Sequence, residues 1–352
     1  MYLETMRKKL RGTVIHRVYT LLKYDLYLIL VYRVIENLRR GRTRKVRRML
    51  GYWFKSLWQE LPRTVAIDVV SVCNLRCPLC SVPPFLTRSG DAFMPFEKFK
   101  TIVDRIDVAM DLCLVYAGEP FLHPKFLEMI HYVRDQFYSE SITNGTLLSE
   151  KNVHRIIDSG LDALQISFDG FSKESFERYR IGADFDSVKE NILRLIQGKK
   201  EKKSRLPHIT ITFLINAYNE EEVEECKRFF LAKGADRFFA KAINLNVHRR
   251  LDGKTERDLD HWLPKKANIS LYENHDGEVT FKDRAGSCTI CLSPMIRCDG
   301  EVLLCCHDIF NTAKIGNIFD HGLKELWNTE HYKKMRLLAK QRKLPVCQKC
   351  GK

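Results

Sequence analysis

The chain has 352 residues, 45% of them hydrophobic and 29% charged, with 18 Gly and 11 Pro; this exceeds a minimal domain and excludes a disordered, collagen-like or low-complexity polypeptide. Its formal charge of +15 is concentrated at one end, because residues 1–63 hold 16 Lys/Arg against 4 Asp/Glu, +12 of the total. An acidic partner would therefore meet the N-terminus, and the near-neutral body does not depend on gathering polyanions.

Residues 1–12 are charged and lead into no clean apolar segment with a small-residue cleavage site, so the expected location is cytoplasmic. Twelve Cys in such a compartment point to metal or redox chemistry. Residues 13–38 are mostly apolar, but Arg17, Lys23, Asp25, Arg33 and Glu36 interrupt them. The longest uncharged run, Leu26 to Tyr32, falls far short of the ~20 residues that span a bilayer. Those charges scatter around a helical wheel, which leaves burial against the body and contact with lipid both open. Residues 39–48 then hold seven cations, followed by Tyr52, Trp53, Phe54 and Trp58. Cations beside aromatics suit a membrane interface, and residues 1–63 are read as a basic, aromatic-containing helical extension.

From Thr64 short β-rich runs alternate with helical ones. Strands are expected near 64–71, 111–117, 138–143, 161–168, 208–216 and 235–243, and helices near 96–109, 124–136, 149–159, 172–196 and 219–232. The alternation predicts an α/β fold with a parallel sheet. No Gly-x-Gly-x-x-Gly turn follows the first strand, which leaves a partly closed βα barrel with its chemistry at the carboxyl ends of the strands. Residues 64–245 are assigned to this barrel, 246–287 to a connection and 288–352 to a Cys-rich unit.

Cys73, Cys77 and Cys80 stand on one loop just after the first strand. Their CxxxCxxC spacing brings three thiolates to three corners of a four-iron cluster and leaves one iron open. Structural zinc wants four protein ligands and a redox pair needs only two Cys, so both fit less well. Later strands end in Ala117-Gly118-Glu119-Pro120, Thr143-Asn144-Gly145 and Ser167-Phe168-Asp169. By residue type alone each of these is also an ordinary turn. Taken together at successive strand ends, they make the sequence resemble the radical S-adenosylmethionine (radical SAM) superfamily over about residues 64–245.

The resemblance implies a partial (β/α)6 barrel in which Cys73, Cys77 and Cys80 ligate a [4Fe–4S] cluster that binds S-adenosylmethionine (SAM). It also implies that Gly118, Glu119 and Pro120 receive the amino group of SAM, Ala117 replacing the first Gly of the family's Gly-Gly-Glu-Pro. Ser167 and Asp169, two apart and so on one side of a strand, are similar to the family's Ser-x-Asp element, which faces the ribose or methionyl group. Asn144 is a further candidate for SAM contact, and the backbone of Leu79 would approach the adenine.

At the C-terminal end, Cys288-x11-Gly300-x4-Cys305 and Cys347-x2-Cys350 are similar to a SPASM or shorter twitch domain. This implies one auxiliary [4Fe–4S] cluster on Cys288, Cys305, Cys347 and Cys350, since the further Cys of a full SPASM domain do not follow. Cys291 or Cys306 could replace a neighbour, Cys298 is left over, and zinc is the alternative by residue type. Cys113 and Cys226 read as small buried hydrophobes.

The activity implied is reductive cleavage of SAM to a 5′-deoxyadenosyl radical that takes hydrogen from a substrate. A flavodoxin or ferredoxin would donate the electron, and the auxiliary cluster would assist oxidation or bond formation. The basic extension makes a lipid or lipid-linked glycan at an anionic inner membrane face the leading substrate expectation. Alternatives are a maturase-type enzyme acting on peptides or proteins, a tRNA-modifying enzyme using the same cations and aromatics, and a metal-stabilised binding scaffold without catalysis. Asn216, Lys241 and Asn244 are positional candidates for polar groups near strand ends.

Overall fold

The computed structural model describes residues 26–80, 92–245, 260–275, 278–282, 288, 290–306, 308, 312–348 and 350. Two helices, α1 (Leu26–Arg39) and α2 (Thr43–Ser56), precede the first strand. The sheet strands are β1 (Thr64–Ile67), β2 (Asp111–Cys113), β3 (Tyr138–Thr143), β4 (Ala163–Ser167), β5 (His208–Ile215) and β6 (Arg237–Ala242). Between them lie α3 (Phe96–Asp104), α4 (Phe126–Val133), α5 (Glu150–Ser159), α6 (Lys173–Tyr179), α7 (Phe185–Glu201) and α8 (Val223–Lys233). β1 to β6 pair in parallel and in order. This is the expected parallel sheet, and it stays open: among the described residues β6 ends it on one side.

Alternation along each strand sets the two faces. In β5, Ile209, Ile211 and Phe213 are fully buried while His208, Thr210 and Thr212 are half-buried. The buried set packs with strand residues such as Leu112, Leu164 and Ile166 and with helix residues such as Phe99, Met129, Ile156 and Leu195 in one core. The other set points into the barrel lumen.

The helix expected over 172–196 is two. α6 stops at Tyr179, and Asp184 restarts the chain as the N-cap of α7, accepting from Ser187 N at 2.8 Å. The break between them turns Arg180 toward the cysteine loop. In the stretch read as a connection, β7 (Tyr272–His275) and β8 (Glu278–Phe281) form an antiparallel hairpin.

The C-terminal residues extend the same sheet. β9 (Met295–Ile296) pairs in parallel with β1, and β10 (Glu301–Leu303) and β11 (Lys314–Asn317) continue as an antiparallel meander. α9 (Leu323–Asn328), α10 (Glu330–Lys340) and the short α11 (Pro345–Gln348) follow. Trp327 donates through its indole N–H to the Glu60 carbonyl at 2.7 Å, and Arg336 and Lys340 both pair with the Glu60 carboxylate. The Cys-rich unit is thus bound to the segment that leads into β1.

The described part of the basic extension is built into the body. Arg33 pairs with Asp111 at 3.0 Å and lies 3.5 Å over the Tyr138 ring. Arg42 and the fully buried Lys45 share Asp162, and Arg48 donates to the carbonyls of Ile106 and Ala109. These partners stand at the amino ends of the strands, so α1 and α2 cover the barrel floor. A cavity of about 600 Å³ remains above α1, lined by Arg33, Asn37, Glu140, Gln165, Thr210 and Phe239 among others. No helix among the described residues is long and apolar enough to cross a membrane.

Candidate active site

The cysteine loop leaves β1 at the carboxyl end of the sheet, opposite the floor. The GEP segment lies directly against it: Gly118 N donates to Val70 O at 3.1 Å and Glu119 N to Val72 O at 2.8 Å. A Cβ on Gly118 would stand 2.5 Å from both of those carbonyl oxygens, so only glycine permits this approach. Glu119 is 1% exposed and spends its carboxylate on the protein, accepting from Phe121 N (3.2 Å), Thr143 Oγ1 (2.8 Å) and Asn144 N (2.7 Å). Its side chain therefore ties the ends of β2 and β3 together, and burial lifts its pKa to about 7 despite those bonds. Pro120, also buried, starts the short turn that follows.

Asn144 reaches the loop itself, donating through Nδ2 to Asn74 Oδ1 at 2.9 Å and to Cys73 Sγ at 3.7 Å. Leu75 N also donates to Cys73 Sγ, at 3.4 Å. Leu79 is buried with Leu75, Tyr179, Ile243, Leu245 and Trp262 in a small apolar cluster that backs the loop. Ser167 is half-buried and accepts from Thr212 Oγ1 at 3.4 Å. Asp169 is 1% exposed, accepts from Leu214 N at 2.6 Å and pairs with Arg180.

Arg180 escaped sequence reasoning. It pairs with Asp169 and donates through Nη1 to Cys77 Sγ at 3.7 Å, which links the end of β4 to the cysteine loop. Burial works against its charge, and Asp169 and Cys77 more than restore it. The one sequence signal was the break of the expected helix at Arg180-Ile181-Gly182. Asp68 and Tyr116 were also missed: the Asp68 Oδ1 atom and the Tyr116 hydroxyl are buried without a hydrogen-bond partner in the structure. Both follow strands, and Tyr116 lies within electrostatic reach of Asp68, Cys305 and Cys306.

Of the positional candidates, Asn216 is buried and closes a turn by accepting from Tyr218 N at 2.9 Å, and Asn244 accepts from the Tyr272 hydroxyl at 2.8 Å. Lys241 is exposed on β6. Cys226 is fully buried, as expected of a hydrophobe, and Cys113 is half-buried.

In the C-terminal unit a hydrogen bond with Cys288, together with burial, raises the Cys291 thiol. Burial, with Cys288 and Cys350 adjacent, pushes Cys347 up to about 11. Cys288 is thus within electrostatic reach of Cys291 and Cys347, Cys347 of Cys350, and both Cys291 and Cys305 of the Tyr332 hydroxyl. Cys306 is within electrostatic reach of Cys113 and, like Cys305, of Tyr116.

The donor sets fit iron–sulfur clusters. Both consist of thiols, and at the first loop the Leu75 N–H, Asn144 amide and Arg180 guanidinium all aim at sulfur, where they favour the thiolate that a cluster requires. Among the described residues no three His, Cys, Asp or Glu side chains converge on a single ion; a four-iron cluster asks for no such convergence, because each thiolate takes its own iron.

A model of the radical SAM superfamily matches residues 67–230, and one of an iron–sulfur cluster-binding (SPASM) domain matches residues 288–351. The chain belongs to the radical SAM superfamily. It is a radical SAM enzyme with a C-terminal SPASM domain, and its cofactors are SAM, the SAM-binding [4Fe–4S] cluster and further iron–sulfur binding in that domain.

Among its relatives is the tungsten-containing aldehyde ferredoxin oxidoreductase cofactor-modifying protein of Pyrococcus furiosus, 25% identical over 81% of this chain and 86% of that one. A PqqA peptide cyclase of Granulibacter bethesdensis is 30% identical over 51% of this chain and 46% of its own length, so the chain spans less than half of that relative. Among solved structures, Streptococcus suis SuiB bound to precursor peptide SuiA superposes with a TM-score of 0.58 at 15% identity, covering 86% of this chain and 72% of that one. BtrN in complex with AdoMet and 2-DOIA gives 0.54 at 16% identity over 84% and 94%. These two show the same fold, an open radical SAM barrel.

Proposed function

We propose that this radical SAM enzyme modifies a peptide or protein, in the manner of a maturase. The observation that carries the reading is the 30% identity to a peptide cyclase across half of the chain. The open edge of the sheet supports it: no residue of β6 is buried, and among the described residues nothing pairs with its outer side. Such an edge accepts an extended peptide by main-chain hydrogen bonds. The sequence-based preference for a lipid or lipid-linked glycan substrate finds no such support, and four of the cations behind it, Arg33, Arg42, Lys45 and Arg48, are spent on the floor of the barrel.

In this reading Cys73, Cys77 and Cys80 hold the SAM-binding cluster, and Cys288, Cys305, Cys347 and Cys350 the auxiliary one, with Cys291 beside Cys288 as the alternate ligand. Bound there, cluster and SAM supply a carbon radical able to take hydrogen from an unactivated C–H bond. The chain's own residues place that chemistry. Gly118 lets the end of β2 lie against the cysteine loop, Glu119 fixes the loops after β2 and β3, and Arg180 holds Asp169 toward Cys77. Asn144, Ser167 and the Leu79 backbone complete the SAM contacts. Small-molecule chemistry is the second reading, favoured by the cofactor-modifying relative that covers most of the chain.

Deuterium transfer separates the two. The reconstituted enzyme is given reductant, SAM and size-fractionated extract from expressing cells grown in deuterated medium. Deuterium appearing in 5′-deoxyadenosine with the peptide and protein fraction supports the proposal; transfer from the small-molecule fraction alone overturns it.

A further inference from the structure

The basic extension divides into two faces with different fates. Lys45, Val46 and Met49 of α2 are buried against the body, and Arg42 and Arg48 turn inward to Asp162 and to backbone carbonyls. The outward stripe is Arg44, Arg47, Leu50, Phe54 and Lys55, all exposed, and the next turn adds Trp58. Leu50 is 45% exposed, Phe54 60% and Trp58 66%. Positions 50, 54 and 58 recur every four residues, so the three large apolar side chains stand in one row, with Arg44 and Arg47 continuing it toward the helix start and Lys55 beside it. Ile35 and Leu38 of α1 are also exposed, at 43% and 52%.

We propose that the outer face of α2 docks on an anionic lipid bilayer. Exposing Phe54 and Trp58 to water is unfavourable, and Trp is the side chain that settles at the headgroup level, where its apolar body and polar N–H are both accommodated. Three exposed cations on the same face, with no acidic residue among them, complement an anionic surface and would repel a basic one. The face carries both requirements of reversible interfacial binding, an apolar row and a basic flank. It lies at the floor of the barrel, away from the cysteine loop, so docking leaves the active-site end free for substrate. The proposal does not depend on what that substrate is.

Deleting residues 1–63 would be a poor test, because Lys45, Glu60 and Arg63 are structural: the Arg63 carbonyl, for example, accepts from Met110 N and Asp111 N. Point variants on the exposed face avoid this. Full-length protein is floated with phosphatidylcholine vesicles, with and without phosphatidylglycerol, at low and high salt. The wild type is expected to float with the anionic vesicles, less so at high salt. Arg44→Ala with Arg47→Ala should weaken partitioning roughly 30-fold, from ~1 kcal/mol per cation. Phe54→Ser with Trp58→Ser should weaken it at least about tenfold at either salt concentration. Both variants should keep the wild-type circular dichroism. Absence of wild-type flotation, or flotation that neither double variant reduces, overturns the proposal, as does an apolar variant that changes only the oligomeric state.

Discussion

Glu140 brings a carboxylate into the lumen, where burial, aided by Asp111, raises its pKa to about 7 from an ordinary 4.5. Between those pH values the folded protein holds a proton that the unfolded chain has released, so this group's contribution to stability falls as pH rises from about 4.5 to 7. Glu140→Gln removes the dependence. The variant should gain stability over the wild type, on the order of 2 kcal/mol, between pH 5 and pH 8; an equal difference in urea midpoint at both pH values would count against a half-buried, protonatable Glu140. Gly118 is the other residue with a sharp consequence, since Ala there would press on the Val70 and Val72 carbonyls. Gly118→Ala should cost about 1–3 kcal/mol and lower iron retention at the first site, read by denaturation and iron analysis. Much of this site was legible, because the CxxxCxxC loop and the GEP and SxD turns are local patterns at strand ends. Arg180 was not: its partners Cys77 and Asp169 come near it only once β1, β4 and the α6–α7 break are placed together. For Glu119, the family element was found, but that its carboxylate serves Thr143 and Asn144 depends on strand pairing that no local pattern reveals.

Among the elements, α2 shows why a charge run is hard to interpret from sequence. Lys45 and Asp162 are 117 positions apart, and nothing local announces that the cation is fully buried on the far partner. Burial lowers the Lys45 pKa to about 8, and Asp162 opposes that fall. Lys45→Met leaves Asp162 with Arg42 and the Ser139 donors but without its closest cation. A loss of about 3 kcal/mol is expected, whereas Arg47→Ala, on the exposed face, should stay within about 0.5 kcal/mol. Equal effects from the two substitutions, measured by urea unfolding, would mean that α2 is not latched as described. The strands and helices of the barrel were readable because period-2 and period-3.6 patterns are strong where one face is buried. The 172–196 segment reads as one helix because both halves carry apolar residues at three- and four-residue spacings, Phe176 and Tyr179 in the first and Val188, Ile192 and Leu195 in the second, although the buried stripe changes side between them.

At the scale of the whole molecule, the SPASM unit is continuous with the barrel sheet through β9 on β1, and Glu60 binds it a second time through Trp327, Arg336 and Lys340. Two cysteine groups are thus held at fixed places on one sheet, and the account assigns them different work. Reconstituted protein should carry about eight irons per chain, falling to about four in Cys77→Ala or in a Cys288→Ala, Cys291→Ala double variant. The most direct test of that division is reductive cleavage of SAM, followed as 5′-deoxyadenosine from anaerobically reconstituted protein. The wild type should form it, Cys73→Ala, Cys77→Ala and Cys80→Ala should form none while keeping their fold, and the Cys288/Cys291 double variant should still cleave SAM. Cleavage at the wild-type rate by Cys77→Ala, or none by the wild type with its full iron content, would contradict the account.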